Sequence, residues 1–186
     1  MKTPSTCAIG DLATSAKATL APVTFDGALL RQALGSPELP LTCPFNVGSF
    51  DPGATRVNIC FKIPPDVAAY VRRVEGLLAD EVQRQSARLL GRALTKQATL
   101  DCFTSALKQG GMETMRCKLN LLGTSRPCRV WAPDGACREM PEDVRNCEVV
   151  PMVEVRSIWI NGGRFGAMWE VSDLRVNAVV AKCPWA

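Results

Sequence analysis

The stretch from Cys147 to Val180, CEVVPMVEVRSIWINGGRFGAMWEVSDLRVNAVV, constrains this chain more than any other. β-Branched and aromatic residues run on both sides of a break at Asn161, Gly162 and Gly163, the pattern of two long strands joined by a tight reversal. Glycine supplies the positive φ that such a reversal needs. The first arm sets Val149, Pro151, Val153, Val155, Ser157 and Trp159 against Val150, Met152, Glu154, Arg156, Ile158 and Ile160. The second sets Phe165, Ala167, Trp169, Val171, Asp173 and Arg175 against Gly166, Met168, Glu170, Ser172, Leu174 and Val176. Neither face is wholly apolar or wholly polar. Arms of this length are not stable as an isolated hairpin, so they are expected to curve around a small barrel and expose part of one face.

Composition narrows the chemistry. The 186 residues suit one domain with an insertion or a disordered end. No apolar run has the length of a membrane span, and polar residues break the N-terminus too often for a signal-peptide core, so an intracellular protein is expected. Histidine is absent, which excludes Ser-His and Cys-His nucleophiles and His-containing zinc sites within one chain. Nine cysteines at irregular spacing, three of them (Cys60, Cys102, Cys117) inside apolar elements, suit reduced buried thiols. A zinc site from Cys128, Cys137, Cys147 and a fourth thiolate would lack any Cys-x-x-Cys pair, and no cofactor is expected. The net charge of +4 permits a polyanionic partner without demanding one.

In chain order, residues 1–38 are rich in Ala, Thr, Ser and Pro and read as a flexible N-terminal arm with a short helical turn over 25–34. Residues 39–47 carry two prolines, which makes any strand there an edge strand, and the turn-rich SFDPGAT follows. Arg56 to Ile63 alternates strictly, with Val57, Ile59, Phe61 and Ile63 on one side and two cations among the residues on the other. Pro64 and Pro65 end that strand and open a helix in which Val67, Val71, Val74, Leu78, Val82 and Leu89 form one face to about Leu94, with Gly91 as a candidate point of interruption. A second helix is expected over 99–108. Strand patterns return at 115–122 and 128–131, a turn at Pro133, Asp134 and Gly135 follows, and a connector over 136–146 leads into the hairpin. This order fits a mainly β, α+β fold: a five- or six-stranded barrel over 39–182 with a helical pair inserted at about 65–110 and a C-terminal tip at 183–186.

Enzyme motifs are missing: there is no phosphate-binding glycine loop, no Gly-x-Ser-x-Gly, and no carboxylate cluster with metal spacing. Glu148, Glu154, Glu170 and Asp173 fall on strands, where carboxylates usually pair with neighbours such as Arg156 or Arg175. A non-enzymatic protein is expected. Arg84, Arg88, Arg92 and Lys96 recur every four residues, a row of like charges that reads either as a phosphate contact or as a solvated face relieved by Asp80 and Glu81. Trp131, Trp159, Phe165 and Trp169 lie close in sequence to Arg129, Arg156, Arg164 and Arg175. Cationic grooves with aromatic faces hold single-stranded nucleic acid, although Trp159, Phe165 and Trp169 are equally suited to filling a core.

The run RCKLNLLGTSRPCRVWAPDG, a connector, and VVPMVEVRSIWINGGRFGAMWEVSDLRV together resemble the C-terminal half of single-stranded DNA-binding proteins of bacteriophages and large DNA viruses. The similarity covers about residues 113–180 and rests on residue classes: a basic strand before a loop, a short strand ending in an Asp-Gly turn, and a long strand pair with Val153, Val155, Ile158, Trp159, Ile160, Phe165 and Gly166. It implies an OB-like barrel and sequence-independent binding of single-stranded DNA in replication, recombination or repair. Lys62, Arg116, Lys118, Arg129, Arg156 and Arg164 would meet phosphates, Trp131, Trp159 and Phe165 would offer stacking faces, and Arg84, Arg88 and Arg92 would extend the groove. Replication proteins and a second copy of the chain are further expected partners. The acidic tail of many such proteins has no counterpart in AKCPWA at residues 181–186. A structural or assembly β-barrel protein and an RNA-binding OB module are the alternatives.

Overall fold

The computed structural model describes residues 1–14, 18–48, 54–108, 110–121, 124 and 126–179. The first strands are β1 (Cys7–Ile9), β2 (Ala13–Thr14), β3 (Thr19–Phe25), β4 (Leu30–Ala33), β5 (Leu41–Thr42) and β6 (Arg56–Lys62). Three helices follow: α1 (Pro65–Arg84), α2 (Ser86–Leu90) and α3 (Lys96–Cys102). The remaining strands are β7 (Leu107–Lys108), β8 (Thr114–Asn120), β9 (Arg129–Trp131), β10 (Cys137–Arg138), β11 (Cys147–Asn161) and β12 (Arg164–Val179).

The long hairpin forms as its sequence requires. Asn161 pairs with Arg164, and the two residues between them, Gly162 and Gly163, have φ of 56° and 74°, the two positive values of a type I′ turn. Register shifts near Glu148/Val149, Met152/Val153 and Val155/Ser157 mark irregularities that bend the ribbon and raise its twist. The bent ribbon closes a barrel. β12 pairs in parallel with β8 (Glu170 with Lys118, Val171 with Leu119), β8 runs antiparallel to β6, β6 meets β5 at Lys62 and Thr42, and β5 returns to β11. Five strands therefore complete the circuit, an OB-like β fold with a helical insertion between β6 and β8.

The inserted helix α1 starts at Pro65, with Asp66 in its first turn, and buries Val67, Val71, Val74, Leu78 and Val82 along one face. Helicity breaks twice: Gln85 separates α1 from α2, and Gly91 ends α2 at φ 71°. The second helix is earlier and shorter than its pattern predicts. Thr95 caps α3 by accepting a hydrogen bond from the Ala98 amide at 3.3 Å. Beyond Cys102 the chain is taken up by the barrel edge: the Thr104 amide donates to the Phe165 carbonyl at 2.8 Å and Leu107 pairs with Met115. Tertiary pairing thus overrides helical propensity after residue 102.

The N-terminal segment differs most from expectation. Residues 1–38 contribute four strands in place of a loose arm with a helical turn. β3 lies against β11 from Pro22 with Ser157 to Thr19 with Ile160, and β4 pairs Leu30 to Ala33 with Val155 to Met152. These strands cover edges that β11 would otherwise leave open. Their alternation is short and interrupted by Pro22 and by the turn at Asp26 and Gly27, which hides the β pattern in the sequence. The turn over 49–53 and the tip at 183–186 lie outside the described residues. The core joins all these parts: Phe25, Ile59, Phe61, Leu78, Met115, Leu119, Ile158, Phe165, Trp169 and Leu174 are all buried.

Phe25 distinguishes an integral N-terminal segment from a loose one. Phe25→Ala is expected to lower unfolding free energy by about 3–5 kcal/mol, measured by urea denaturation, whereas a residue on a loose arm would change it by nearly nothing.

Candidate functional site

The pleat of β6 and β8 turns Val57, Ile59, Phe61, Met115, Cys117 and Leu119 into the barrel, leaving the intervening polar residues on the outer face. Register places Cys60 opposite Arg116, Asn58 opposite Lys118, and Arg56 opposite Asn120. The parallel pairing with β12 then sets Glu170 beside Lys118, and β11 sets Glu154 across from Glu170. Residues scattered over the sequence thereby share one face.

At one end of this face is a cleft of about 290 Å³ whose lining includes Asn58, Arg116, Lys118, Trp159 and Met168. Lys118 Nζ donates to Asn58 Oδ1 at 2.9 Å. Burial pushes the Lys118 ammonium below its ordinary range, and the neighbouring Arg56 and Arg116 push it in the same direction. Arg116 and Lys118 thus share the cleft wall, while Arg56 lies beyond it and is ion-paired to Glu170. Trp159 is half-buried and seated against Gly166, where a Cβ would lie 2.9 Å from the indole Nε1 and 2.5 Å from the Thr104 carbonyl oxygen. Only glycine fits that approach.

A buried carboxylate supports the cleft from beneath. Glu75 on α1 accepts hydrogen bonds from Ser105 Oγ at 2.5 Å, the Ala106 amide at 2.9 Å and Trp169 Nε1 at 3.3 Å, and all three donor residues line the cleft. Burial raises the Glu75 carboxyl above its ordinary range, against the lowering effect of these donors and of Arg72.

An alternating ladder of charge crosses the middle of the face. Arg56 and Arg156 both pair with Glu170, Arg156 and Arg31 with Glu154, and Arg31 and Arg129 with Asp173. Each carboxylate is largely covered, with side-chain exposures of 16, 7 and 13%, whereas Arg31 and Arg129 keep 48 and 57% of theirs. A guanidinium carries five N–H donors, so each arginine can be anchored through one edge while presenting another to solvent. A second cleft of about 210 Å³ opens over the ladder, with Arg126, Arg129 and Arg156 on its walls.

The sequence-predicted residues divide accordingly. Arg116, Lys118 and Trp159 line the first cleft, and Arg129 and Arg156 line the second. Arg164 stands at the hairpin turn and donates from Nε to Thr104 Oγ1 at 3.2 Å, beside the first cleft. Lys62 is exposed at the far end of β6, and Trp131 lies in a third cleft. Arg84, Arg88 and Arg92 line none of these three clefts. Arg84 pairs with Glu81, and Arg88 donates to the carbonyls of Ile9 and Gly10 at 3.1 Å, tying α2 to the end of β1. The helix breaks at Gln85 and Gly91 dissolve the row in which these arginines were expected. Phe165 does not offer a stacking face: it is fully buried, edge-on to Phe103 with ring centroids 5.4 Å apart. Trp169 likewise belongs to the core.

The sequence does not mark Arg31, Asn58, Glu75 or Met168 as site residues, nor Arg56 as a member of the ladder. The alternation of β6 marked Arg56 and Asn58 as outward-facing, but nothing local marked Arg31 or Glu75. Among the described residues, no group of three or more His, Cys, Asp or Glu side chains could hold a metal ion, and no helix is long and apolar enough to cross a membrane.

No family model matches the sequence, and no curated protein matches it. Among solved structures, the chain is similar to the single-stranded DNA-binding protein from bacteriophage Enc34, with 10% identity, 95% of each chain covered and a TM-score of 0.49. The same phage protein in complex with single-stranded DNA gives 11% identity, coverage of 92% of this chain and 96% of that one, and a TM-score of 0.47. The single-stranded DNA-binding protein gp2.5 of bacteriophage T7 gives 11% identity, coverage of 83 and 90%, and a TM-score of 0.46. These proteins are of the kind that the sequence resembles.

Two outcomes test this geometry. Gly166→Ala is expected to cost about 1–3 kcal/mol of stability and to shift the fluorescence emission of Trp159, because the added methyl meets backbone on one side and the indole on the other. Glu75 has a raised folded-state pKa, so its contribution to stability is fully present below its unfolded value and is lost as pH rises through the folded one. Urea midpoints measured from pH 4 upward should therefore show a decline that Glu75→Gln removes.

Proposed function

We propose that this protein binds single-stranded DNA without sequence preference along the outer face of β6, β8, β12 and β11, acting in DNA replication, recombination or repair. The observation that carries the reading is the pairing of Arg116 and Lys118 in the wall of the first cleft, with Arg56 near enough to act on Lys118. Lys118 is held below its ordinary pKa range, and Arg116 has no carboxylate partner among the described residues. Glu170 takes up Arg56, but neither Arg116 nor Lys118 has an ion-pair partner among the described residues, and a backbone phosphate supplies one. Trp159 and Met168 beside it give an unpaired base an apolar surface, and base stacking on an aromatic face is worth about 1–3 kcal/mol. A base held in a duplex cannot make that contact. The ligand is the one named for the structural neighbours, but support for it here comes from this face.

The ladder arginines continue the cationic track past the cleft. Their carboxylates fix the guanidinium groups on the sheet, so that binding spends little side-chain entropy on ordering them. These residues hold a ligand and carry out no chemistry on it.

Polarisation of a labelled oligo-dT of about 30 nucleotides across a salt series tests the reading, with duplex DNA and poly-U as competitors. Binding should weaken linearly on a log–log plot, duplex should fail to compete, and Arg116→Ala should reduce the slope by about 0.7, the contribution of one phosphate on a single strand. Competition by poly-U would reassign the ligand to RNA. Absence of binding at low salt would refute the proposal.

A further inference from the structure

The far end of the same face holds a third cleft, of about 410 Å³, whose lining includes Arg31, Trp131, Met152, Asp173 and Arg175. Parallel pairing of β9 with β12 sets Arg129 beside Asp173 and Trp131 beside Arg175. Asp173 is the hub. One carboxylate accepts from Trp131 Nε1 at 3.0 Å and pairs with Arg129 at 2.7 Å and Arg31 at 2.8 Å, while the Ser172 hydroxyl donates to it at 3.0 Å. Arg129 in turn lies 5.6 Å from the centre of the Trp131 ring, in cation–π range. The indole is thereby fixed by its N–H and by one cation, at the wall of a largely apolar cleft.

We infer that this cleft is a second stacking station for a nucleobase, with Asp173 as the positioning residue that holds Trp131, Arg129 and Arg31 for the base and its flanking phosphates. The inference rests on the proposed single-strand binding and deepens it. Asp173 keeps its charge throughout: burial alone would raise its carboxyl, but Arg129, the Trp131 indole and Ser172 hold it below the ordinary range. The two stations lie along one strand, Met168 at the first and Arg175 at the second, roughly 20 Å apart at about 3.3 Å per residue. The arginine ladder fills the interval. The station thus differs in residues and place from the one at Trp159, and Arg31 links it to the second cleft, which it also lines.

The same oligo-dT titration, run on variants, tests the station. Asp173→Asn should weaken binding about tenfold, the loss of one stacked base, and lower the salt slope by about 1.4, the loss of two phosphates. Asp173→Glu, which keeps the charge, should recover part of both. Arg129→Gln, at an exposed position that does not threaten folding, should lower the slope by about 0.7. In a Trp159→Phe/Trp185→Phe protein, whose remaining indoles are Trp131 and the buried Trp169, oligo-dT should still quench fluorescence. Unchanged binding and slope in Asp173→Asn and Arg129→Gln would overturn the station while leaving the first cleft in place. Tighter binding by Asp173→Asn would also overturn it, because the carboxylate would then be a competitor of phosphate. A wild-type protein that binds no oligo-dT would overturn both readings.

Discussion

Closure of the barrel by one bent hairpin governs everything else in this structure. β11 accepts β3, β4 and β5 along its length, and β12 accepts β8 and β9, so five strands depend on the register of a single ribbon. That register is set at the Gly162-Gly163 turn and adjusted at three irregular points along the arms. A one-residue slip would reverse every side chain between core and surface. Trp169, buried beside Glu75, and Glu170, on the outer face beside Lys118, would exchange places.

The same constraint explains how the functional face is assembled. Its cations come from β4, β6, β8, β9 and β11, and none of these elements carries a cationic patch alone. The pleat directs one residue in two outward, and antiparallel and parallel pairings then bring Arg56, Lys118, Arg129 and Arg156 into one row. Three mostly buried carboxylates between them keep the row from repelling itself. A buried ion pair contributes little net stability once desolvation is counted, so the ladder is better understood as fixing side-chain geometry than as holding the barrel together. The hydrophobic core does that, from Phe25 through Ile59 and Phe61 to Leu174.

Legibility in the sequence followed the range of the interactions. The hairpin, the β6 strand, the start of α1 and its apolar face are all local patterns, and each was readable from glycine placement, strict alternation or helical spacing. The N-terminal strands were not, because β3 and β4 owe their extended form to pairing with β11, more than a hundred residues away. Among site residues, Arg116 and Lys118 were recognisable from the alternation of β8. Arg31 was hidden in a segment with no periodic signal, and Phe165 was misassigned because a strand aromatic near arginines looks the same in sequence whether it faces inward or outward. Arg84, Arg88 and Arg92 form a row only along an unbroken helix; the break at Gly91 is legible from the glycine, whereas nothing in the sequence marks the one at Gln85.

In the proposed function, one face of this barrel, and not its helical side, is the nucleic-acid surface. Amide chemical-shift mapping with a short oligo-dT tests it directly. Perturbations are expected along Asn58, Lys118, Met168 and Glu170 on the sheet, with Arg84, Arg88 and Arg92 unmoved. Perturbations concentrated on α1 and α2, with a silent sheet face, would contradict it.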